Sequence, residues 1–193
     1  TPLVRFEIMA ADNGVPETKE VGIFLIGREK SETAYKIGND FALTIGADNL
    51  YSPSYVELNR TGGWLPLSKN VVENSYEVKA PIIPLAKPMK ISCPVPSGFS
   101  EKFGFGYLAQ KTGWRWIEPE RENGLLTASV GGFGTYGLLK DTEPPSVRKI
   151  VPSSDKTINS SYPEISCFID DDLSGIEDDH DITIFLDGEW LIP

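Results

Sequence analysis

The chain has 193 residues, of which 28 are Asp or Glu and 18 are Lys or Arg, so its formal net charge is −10 at pH 7. This acidic balance argues against nucleic-acid binding, which needs clustered basic side chains, and against docking of a basic face on anionic lipid. No run approaches the roughly 18 apolar residues that span a bilayer. Because 40% of the residues are hydrophobic, we expect a globular protein. From the acidic balance and the short apolar runs, we expect no nucleic-acid partner and no direct membrane insertion.

Short apolar runs bounded by Gly, Pro, Asn or Asp fill residues 1–140. Residues 3–8 and 41–45 alternate apolar and polar side chains, as half-buried strands do. Residues 110–114 have the composition of a hairpin turn, and residues 68–75 predict one helical turn at most. The runs predict strands at residues 3–9, 20–26, 41–45, 54–58, 89–93, 104–110, 113–117, 125–130 and 135–139. Strands at this spacing predict an all-β fold, with an antiparallel β-sandwich domain over residues 1–140.

Prolines mark two connections between the predicted strands. Residues 80–88 contain three prolines, which predicts an extended connector because proline cannot donate to a central β-ladder. The pair Pro144-Pro145 predicts an extended hinge before a second module. Strands are predicted there at residues 146–151, 164–169 and 181–186, and so few strands rarely make a stable sandwich alone. We expect them to lean on the first domain or to belong to a longer domain.

The acidic charge is concentrated in residues 141–193, which hold 13 Asp or Glu and 3 Lys or Arg. The densest group is Asp170, Asp171 and Asp172, followed by four more carboxylates between residues 177 and 181. Calcium prefers carboxylate and carbonyl oxygens, so these three aspartates are candidate calcium ligands. The spacing of an EF-hand is absent. The alternative is a turn without a cofactor, in which Asp accepts backbone N–H groups and Ser174-Gly175 forms the corner.

No catalytic constellation emerges from the sequence. His180 is the only histidine, whereas a zinc site needs more ligands and a Ser–His or Cys–His pair needs a nucleophile beside the base. Glu118, Glu120 and Glu122 could serve glycoside hydrolysis, but they surround a proline and predict a polar turn. Residues 131–137 lack the Lys and Ser/Thr of a phosphate-binding loop and predict a bend. We therefore expect a protein that is not an enzyme.

The tryptophans are candidate ligand-binding residues. Trp64, Trp114 and Trp116 could form a platform on which sugar rings stack. In a strand, alternation places Trp114 and Trp116 on one face and Arg115 on the other. If that face meets the core, the two rings are packing residues, which is the simpler account. If it is exposed, they form a glycan-binding patch.

The chain has two cysteines, Cys93 and Cys167, one in each predicted module. Both fall in apolar runs that predict strands. We expect both to be buried small hydrophobic residues, because spacing alone gives no evidence of a disulfide between the modules.

Residues 124–193 resemble a pattern found in exported bacterial proteins. Residues 133–145 read F-G-T-Y-G-L-L-K-D-T-E-P-P, residues 169–176 read I-D-D-D-L-S-G-I, and residues 185–190 read F-L-D-G-E-W. This combination is similar to the non-catalytic β-rich part of Bacteroidetes-type M23 (lysostaphin-like) metallopeptidases. In that family, a zinc peptidase domain that acts on peptidoglycan cross-links accompanies such modules.

The resemblance implies an Ig-like module over residues 141–193, incomplete at Pro193, in a multidomain protein located outside the cytoplasm. The zinc motifs of the family, H-x-x-x-D and H-x-H, have no counterpart in a chain with one histidine, so no catalytic residue carries over. The expected function is that of a non-enzymatic accessory or spacer module of a cell-wall or surface protein. Its partners would be other domains of the parent polypeptide, including a peptidase domain absent from this chain. Binding of peptidoglycan or a surface glycan is the alternative.

Overall fold

A computed structural model describes residues 4–12, 15–27, 31–61, 71–81, 84–98, 102–153, 157–160, 162–176, 182–186 and 188–191. For residues 4–12, 15–20, 73, 186 and 191 it describes the backbone alone. The chain divides into two compact units, Thr1–Asp141 and Thr142–Pro193.

The all-β prediction is confirmed, because the described residues form antiparallel strands and one short 3-10 turn, Ala47–Asn49. The strands of the first unit are β1 (Val4–Asp12), β2 (Val15–Ile26), β3 (Thr33–Ile37), β4 (Phe41–Ile45), β5 (Ser54–Thr61), β6 (Val71–Lys79), β7 (Met89–Pro94), β8 (Phe103–Ala109), β9 (Gly113–Ile117), β10 (Glu120–Glu122), β11 (Leu125–Val130) and β12 (Gly134–Lys140). Those of the second unit are β13 (Ser146–Val151), β14 (Ser166–Asp170), β15 (Ile184–Leu186) and β16 (Glu189–Leu191).

Two sheets make up the first unit. One has seven strands in the order β1-β2-β5-β6-β12-β8-β9, and the other has five in the order β10-β11-β7-β4-β3. All of the strand pairs in both sheets are antiparallel. The order differs from the chain sequence, so each sheet joins segments that are far apart in the sequence.

Alternating side chains of both sheets meet in one apolar core. On β4 the first, third and fifth residues are buried and the two between them are half-buried, which is the period of a strand with one face inward. Full burial of one Leu or Ile side chain contributes about 1.5–3 kcal/mol. The largest side chains of this core with no exposed surface are Ile26, Leu43, Ile45, Val56, Leu58, Val78, Met89, Ile91 and Leu126.

Three strands of the first unit escape prediction from sequence. β3 and β10 are edge strands with mostly exposed side chains, so their apolar signal is weak. β6 reads V-V-E-N-S-Y-E-V-K, and its polar residues suggested the helical turn at residues 68–75. That prediction is wrong from Val71 onward, because pairing with β5 and β12 on both sides gives this segment its strand conformation. Residues 68–70 lie outside the described part.

The second unit contains two short sheets of two strands each. β13 pairs with β14, and β15 pairs with β16. Cys93 of the first unit is buried as expected, whereas Cys167 on β14 is exposed, so the expectation of burial is wrong for Cys167. Large apolar side chains of both sheets face outward: Val147, Ile150, Val151, Phe168, Ile184, Phe185 and Trp190. An Ig-like architecture for this unit stays a prediction.

In the part of the chain that the structure describes, no helix combines the length and the apolar character needed to cross a membrane.

Candidate functional site

Trp114 and Trp116 lie on the outer face of the seven-stranded sheet. Trp116 is directly opposite Gly106 on β8, and Trp114 is opposite Leu108. The alternate residues of β8, including Phe105, point into the core. The two rings therefore share one face, as alternation predicts, but that face is the one away from the other sheet. The simpler account from the sequence was that both rings pack in the core between the sheets, whereas the structure places them on the outer face.

Glycines form the floor beneath both rings. A Cβ atom on Gly104 would lie 2.6 Å from Trp116 Cη2, and one on Gly106 would lie 2.8 Å from Trp114 Cε3. A third glycine, Gly137 on β12, would bring its Cβ to 3.1 Å from Trp114 Cη2. Only residues without a side chain leave room for rings that lie this close to the backbone of β8 and β12. The alternating glycines of β8 were the sequence signal for this packing.

The two indole nitrogens have different environments. Trp116 Nε1 donates a hydrogen bond of 2.7 Å to Glu118 Oε2, which holds the ring over Gly104. Trp114 Nε1 is buried and has no hydrogen-bond partner among the described residues. Both rings are half-buried, so each combines a packing contact with a surface open to solvent.

An open groove of about 330 Å³ runs beside β9, at the edge of the seven-stranded sheet. Tyr107, Arg115 and Trp116 line it from the β8–β9 hairpin, and Ser129 and Val130 line it from β11. β10 pairs with β11 only as far as Thr127, so the groove lies beside strand edges that have no described neighbour. The ring of Tyr107 next to the guanidinium of Arg115 suits a sugar ring, which has both apolar and hydroxyl surfaces.

Tyr136 supports the floor of this groove from the core. Its hydroxyl donates to the carbonyl oxygen of Gly132 at 2.5 Å, which ties the turn between β11 and β12 to the sheet. Burial raises the pKa of Tyr136 above the ordinary value of 10.0, and the nearby Tyr107 adds to the shift. Tyr136 therefore remains a protonated donor at neutral pH. Sequence reasoning did not identify Arg115 as a groove residue.

The acidic turn of the second unit has the geometry of a capped turn. Asp171 Oδ1 accepts the backbone N–H of Leu173 at 3.0 Å and that of Gly175 at 2.8 Å. Asp170 Oδ2 instead accepts a hydrogen bond from Arg148 on the neighbouring strand, and Asp172 is exposed. In the described residues, no group of three or more acidic, His or Cys side chains is gathered in a way that could hold a metal ion.

The other candidate residues are dispersed. Glu118 bonds to Trp116, whereas Glu120 and Glu122 lie on the exposed edge strand β10. Trp64 and His180 lie outside the described residues, as do the carboxylates of residues 177–181.

No protein-family model matches the chain, and no match is found among curated proteins.

Proposed function

We propose that this chain is a non-enzymatic accessory module of an exported bacterial cell-wall or surface protein. It spaces and orients other domains of the same polypeptide, including a peptidase domain that this chain does not contain. The resemblance of residues 124–193 to M23 accessory regions supports the class of parent protein. The observation that carries the proposal is the outward apolar surface of the second unit.

Large apolar side chains of the second unit have no cover among the described residues. Phe168 is 62% exposed, Phe185 is 64% exposed, and Trp190 is 61% exposed. Phe185 and Trp190 are directly opposite each other on β15 and β16, and exposed apolar side chains grouped in this way mark an interaction site. An isolated two-stranded sheet is also marginally stable in water. A neighbouring domain that packs on β13–β14 and β15–β16 would remove this surface from water. Such packing would also fix the orientation of that domain.

Hydrogen exchange in the parent polypeptide tests this role. We expect the amides of β13 and β14 to exchange rapidly in the 193-residue chain and to be protected when the same residues are part of the parent protein. The amides of β4 in the sandwich core serve as the internal control and should be equally protected in both. Equal exchange of β13 and β14 in both proteins would refute the spacer role. So would a coding sequence with no domain other than these two units.

Glycan binding is the second candidate, favoured by the groove that Tyr107, Arg115 and Trp116 line. Titration with muropeptides or chitooligosaccharides should then shift the backbone amide signals of Arg115 and Trp116, which border the groove. Arg115 is exposed, so Arg115→Gln should weaken binding without unfolding the sandwich. Lys111→Gln, on the hairpin turn outside the groove, is the matched control for loss of one positive charge. Amide signals of these two residues that no glycan moves would remove this candidate.

A further inference from the structure

A second concavity, distinct from the groove, opens between the two sheets of the first unit. It has a volume of about 230 Å³. Phe105 and Leu138 line it from the seven-stranded sheet, and Phe41 lines it from the five-stranded sheet. β7 ends at Pro94, and Pro96 follows; because proline has no N–H for a ladder, this strand stops before it can close the gap. We call this space the inter-sheet cleft.

One end of the inter-sheet cleft is polar and is centred on Asp40. Asp40 Oδ1 accepts a hydrogen bond from Arg60 Nη2, and Asp40 Oδ2 accepts one from the hydroxyl of Tyr76. Asn74 Nδ2 is a third donor, 3.5 Å from Asp40 Oδ2. Burial, and then the hydrogen bond to Asp40, raise the pKa of Tyr76 above the ordinary value of 10.0. Tyr76 therefore donates to Asp40 throughout the neutral range.

The hairpin between β3 and β4 holds this polar end in place. Gly38, the first residue of its turn, has φ +59°, and a Cβ there would lie 2.6 Å from Asp40 Oδ1. Phe41 stacks on Tyr76 with ring centroids 4.2 Å apart and ring planes at 11°. The hairpin tip of one sheet is thus clamped to β5 and β6 of the other. A cleft with walls fixed in this way is preorganised for a ligand.

The polar end has more acceptor capacity than described donors use. A carboxylate offers about four lone-pair sites, and the hydroxyl oxygen of Tyr76 can also accept. Three described donors reach Asp40, which leaves capacity on its Oδ1 and on Tyr76. The Arg60 guanidinium already balances the charge of Asp40. A neutral hydrogen-bond donor therefore fits this end better than a cation or an anion does.

The apolar residues that line the rest of the cleft favour a ligand with a flat ring. Phe41, Tyr76 and Phe105 line the space, together with Pro94 and Pro96. Aromatic faces and edges pack well against another aromatic ring. A cavity of roughly 150 Å³ is enough for benzene, so the cleft has room for one substituted ring and little more. We propose that the inter-sheet cleft binds a neutral phenolic group, with the ring among these walls and its hydroxyl donating to Asp40.

Binding is tested with p-cresol, toluene and benzylamine, which share a ring and differ in the donor and the charge. The readout is the set of NMR methyl signals of Val72, Val95 and Leu138, which line the cleft. We expect saturable shifts with p-cresol, and binding of p-cresol about five- to tenfold tighter than that of toluene, the value of one hydrogen bond. Equal affinity for toluene and p-cresol, tighter binding of benzylamine, or no saturable shift would each overturn the proposal.

Two variants separate the cleft from the rest of the molecule. Val72 is 37% exposed and lines the cleft, so Val72→Trp should block it and abolish the p-cresol shifts. Leu25 is 40% exposed and does not line the cleft, so Leu25→Trp is the matched control and should bind p-cresol normally. Asp40→Asn should reduce the preference for p-cresol over toluene. Retained binding in Val72→Trp would refute the location even if Asp40→Asn does not fold.

Cys93 provides a second readout, because its thiol also lines the cleft. In a Cys167→Ser background, p-cresol should slow the reaction of Cys93 with methyl methanethiosulfonate, and toluene should slow it less. A rate that p-cresol leaves unchanged would contradict occupancy of the cleft.

A phenolic group can come from a free small molecule or from a tyrosine side chain of a peptide. N-acetyl-tyrosine amide distinguishes these sources, because its flanking amides must remain outside the cleft. Binding at least as tight as that of p-cresol would assign a peptide source. Exclusion of the amide with retained p-cresol binding would assign a free phenol. Failure of both to bind would overturn the proposal.

Discussion

The contact between Trp116 and Gly104 predicts that Gly104→Ala destabilises the first unit. The new Cβ would lie 2.5 Å from Trp116 Cε2 and 2.6 Å from Trp116 Cη2, whereas unstrained carbon atoms are about 3.5–4.0 Å apart. The ring would have to retreat by about 1 Å against the hydrogen bond that Trp116 Nε1 makes to Glu118. Overpacking of this kind costs about 1–3 kcal/mol. Gly131→Ala is the control, since a Cβ there meets no atom within 4 Å.

Urea unfolding of the single and double variants measures this cost. Gly104→Ala should lower the free energy of unfolding by about 1–3 kcal/mol, whereas Gly131→Ala should change it by less than about 1 kcal/mol. Trp116→Leu removes the obstructing ring, so Gly104→Ala should cost less in that background, and the cycle should be non-additive. Additive effects, or a Gly104→Ala variant as stable as the parent, would refute the packing of Trp116 on Gly104.

Four further predictions concern the buried tyrosines, Asp40 and the acidic turn. The raised pKa of both Tyr76 and Tyr136 means that the unfolded chain releases these protons first, so stability should fall as pH rises above 10.0. Tyr136→Phe should make that decline shallower by about 1.4 kcal/mol per pH unit in urea titrations; an unchanged slope contradicts its burial. Asp40→Ala should cost about 1–2 kcal/mol in urea unfolding because it leaves a guanidinium unpaired, and Asp40→Asn should cost less. Asp171→Ala should speed hydrogen exchange of the Leu173 and Gly175 amides, because both donate hydrogen bonds to Asp171, whereas Asp172→Ala should not. Chelation of divalent cations should leave the melting temperature of the second unit unchanged, and a lower value would instead indicate bound calcium.

Local pattern identified most of the strands. Phe41–Ile45, Gly113–Ile117, Leu125–Val130 and Ser146–Val151 have the bounds that the sequence predicts. Alternation and turn residues are properties of neighbouring positions, so they can be read without the fold. β6 escaped this reasoning because its partners on both sides, rather than its own polar sequence, determine its conformation.

Alternation also placed Trp114 and Trp116 on one face, but it did not identify which face meets the core. That depends on Phe105, whose ring points inward and thereby sends the opposite face of β8 and β9 outward. Similarly, the sequence suggested that the three aspartates at residues 170–172 bind calcium together. Only the structure shows that Asp170 accepts a hydrogen bond from Arg148 and that Asp171 accepts two backbone amides of its own turn.

The sequence by itself determined the all-β class, the concentration of acidic charge after residue 140 and the positions of the strongly alternating strands. These follow from composition and from contacts between near neighbours. Only the tertiary structure decided the glycine floor beneath the tryptophans, the groove beside β9 and the inter-sheet cleft around Asp40. The groove and the inter-sheet cleft join strands that are distant in the chain, and the pairing of those strands is set by burial of the whole core rather than by any local pattern. The glycine floor adds Gly137 of β12 to the local β8–β9 hairpin.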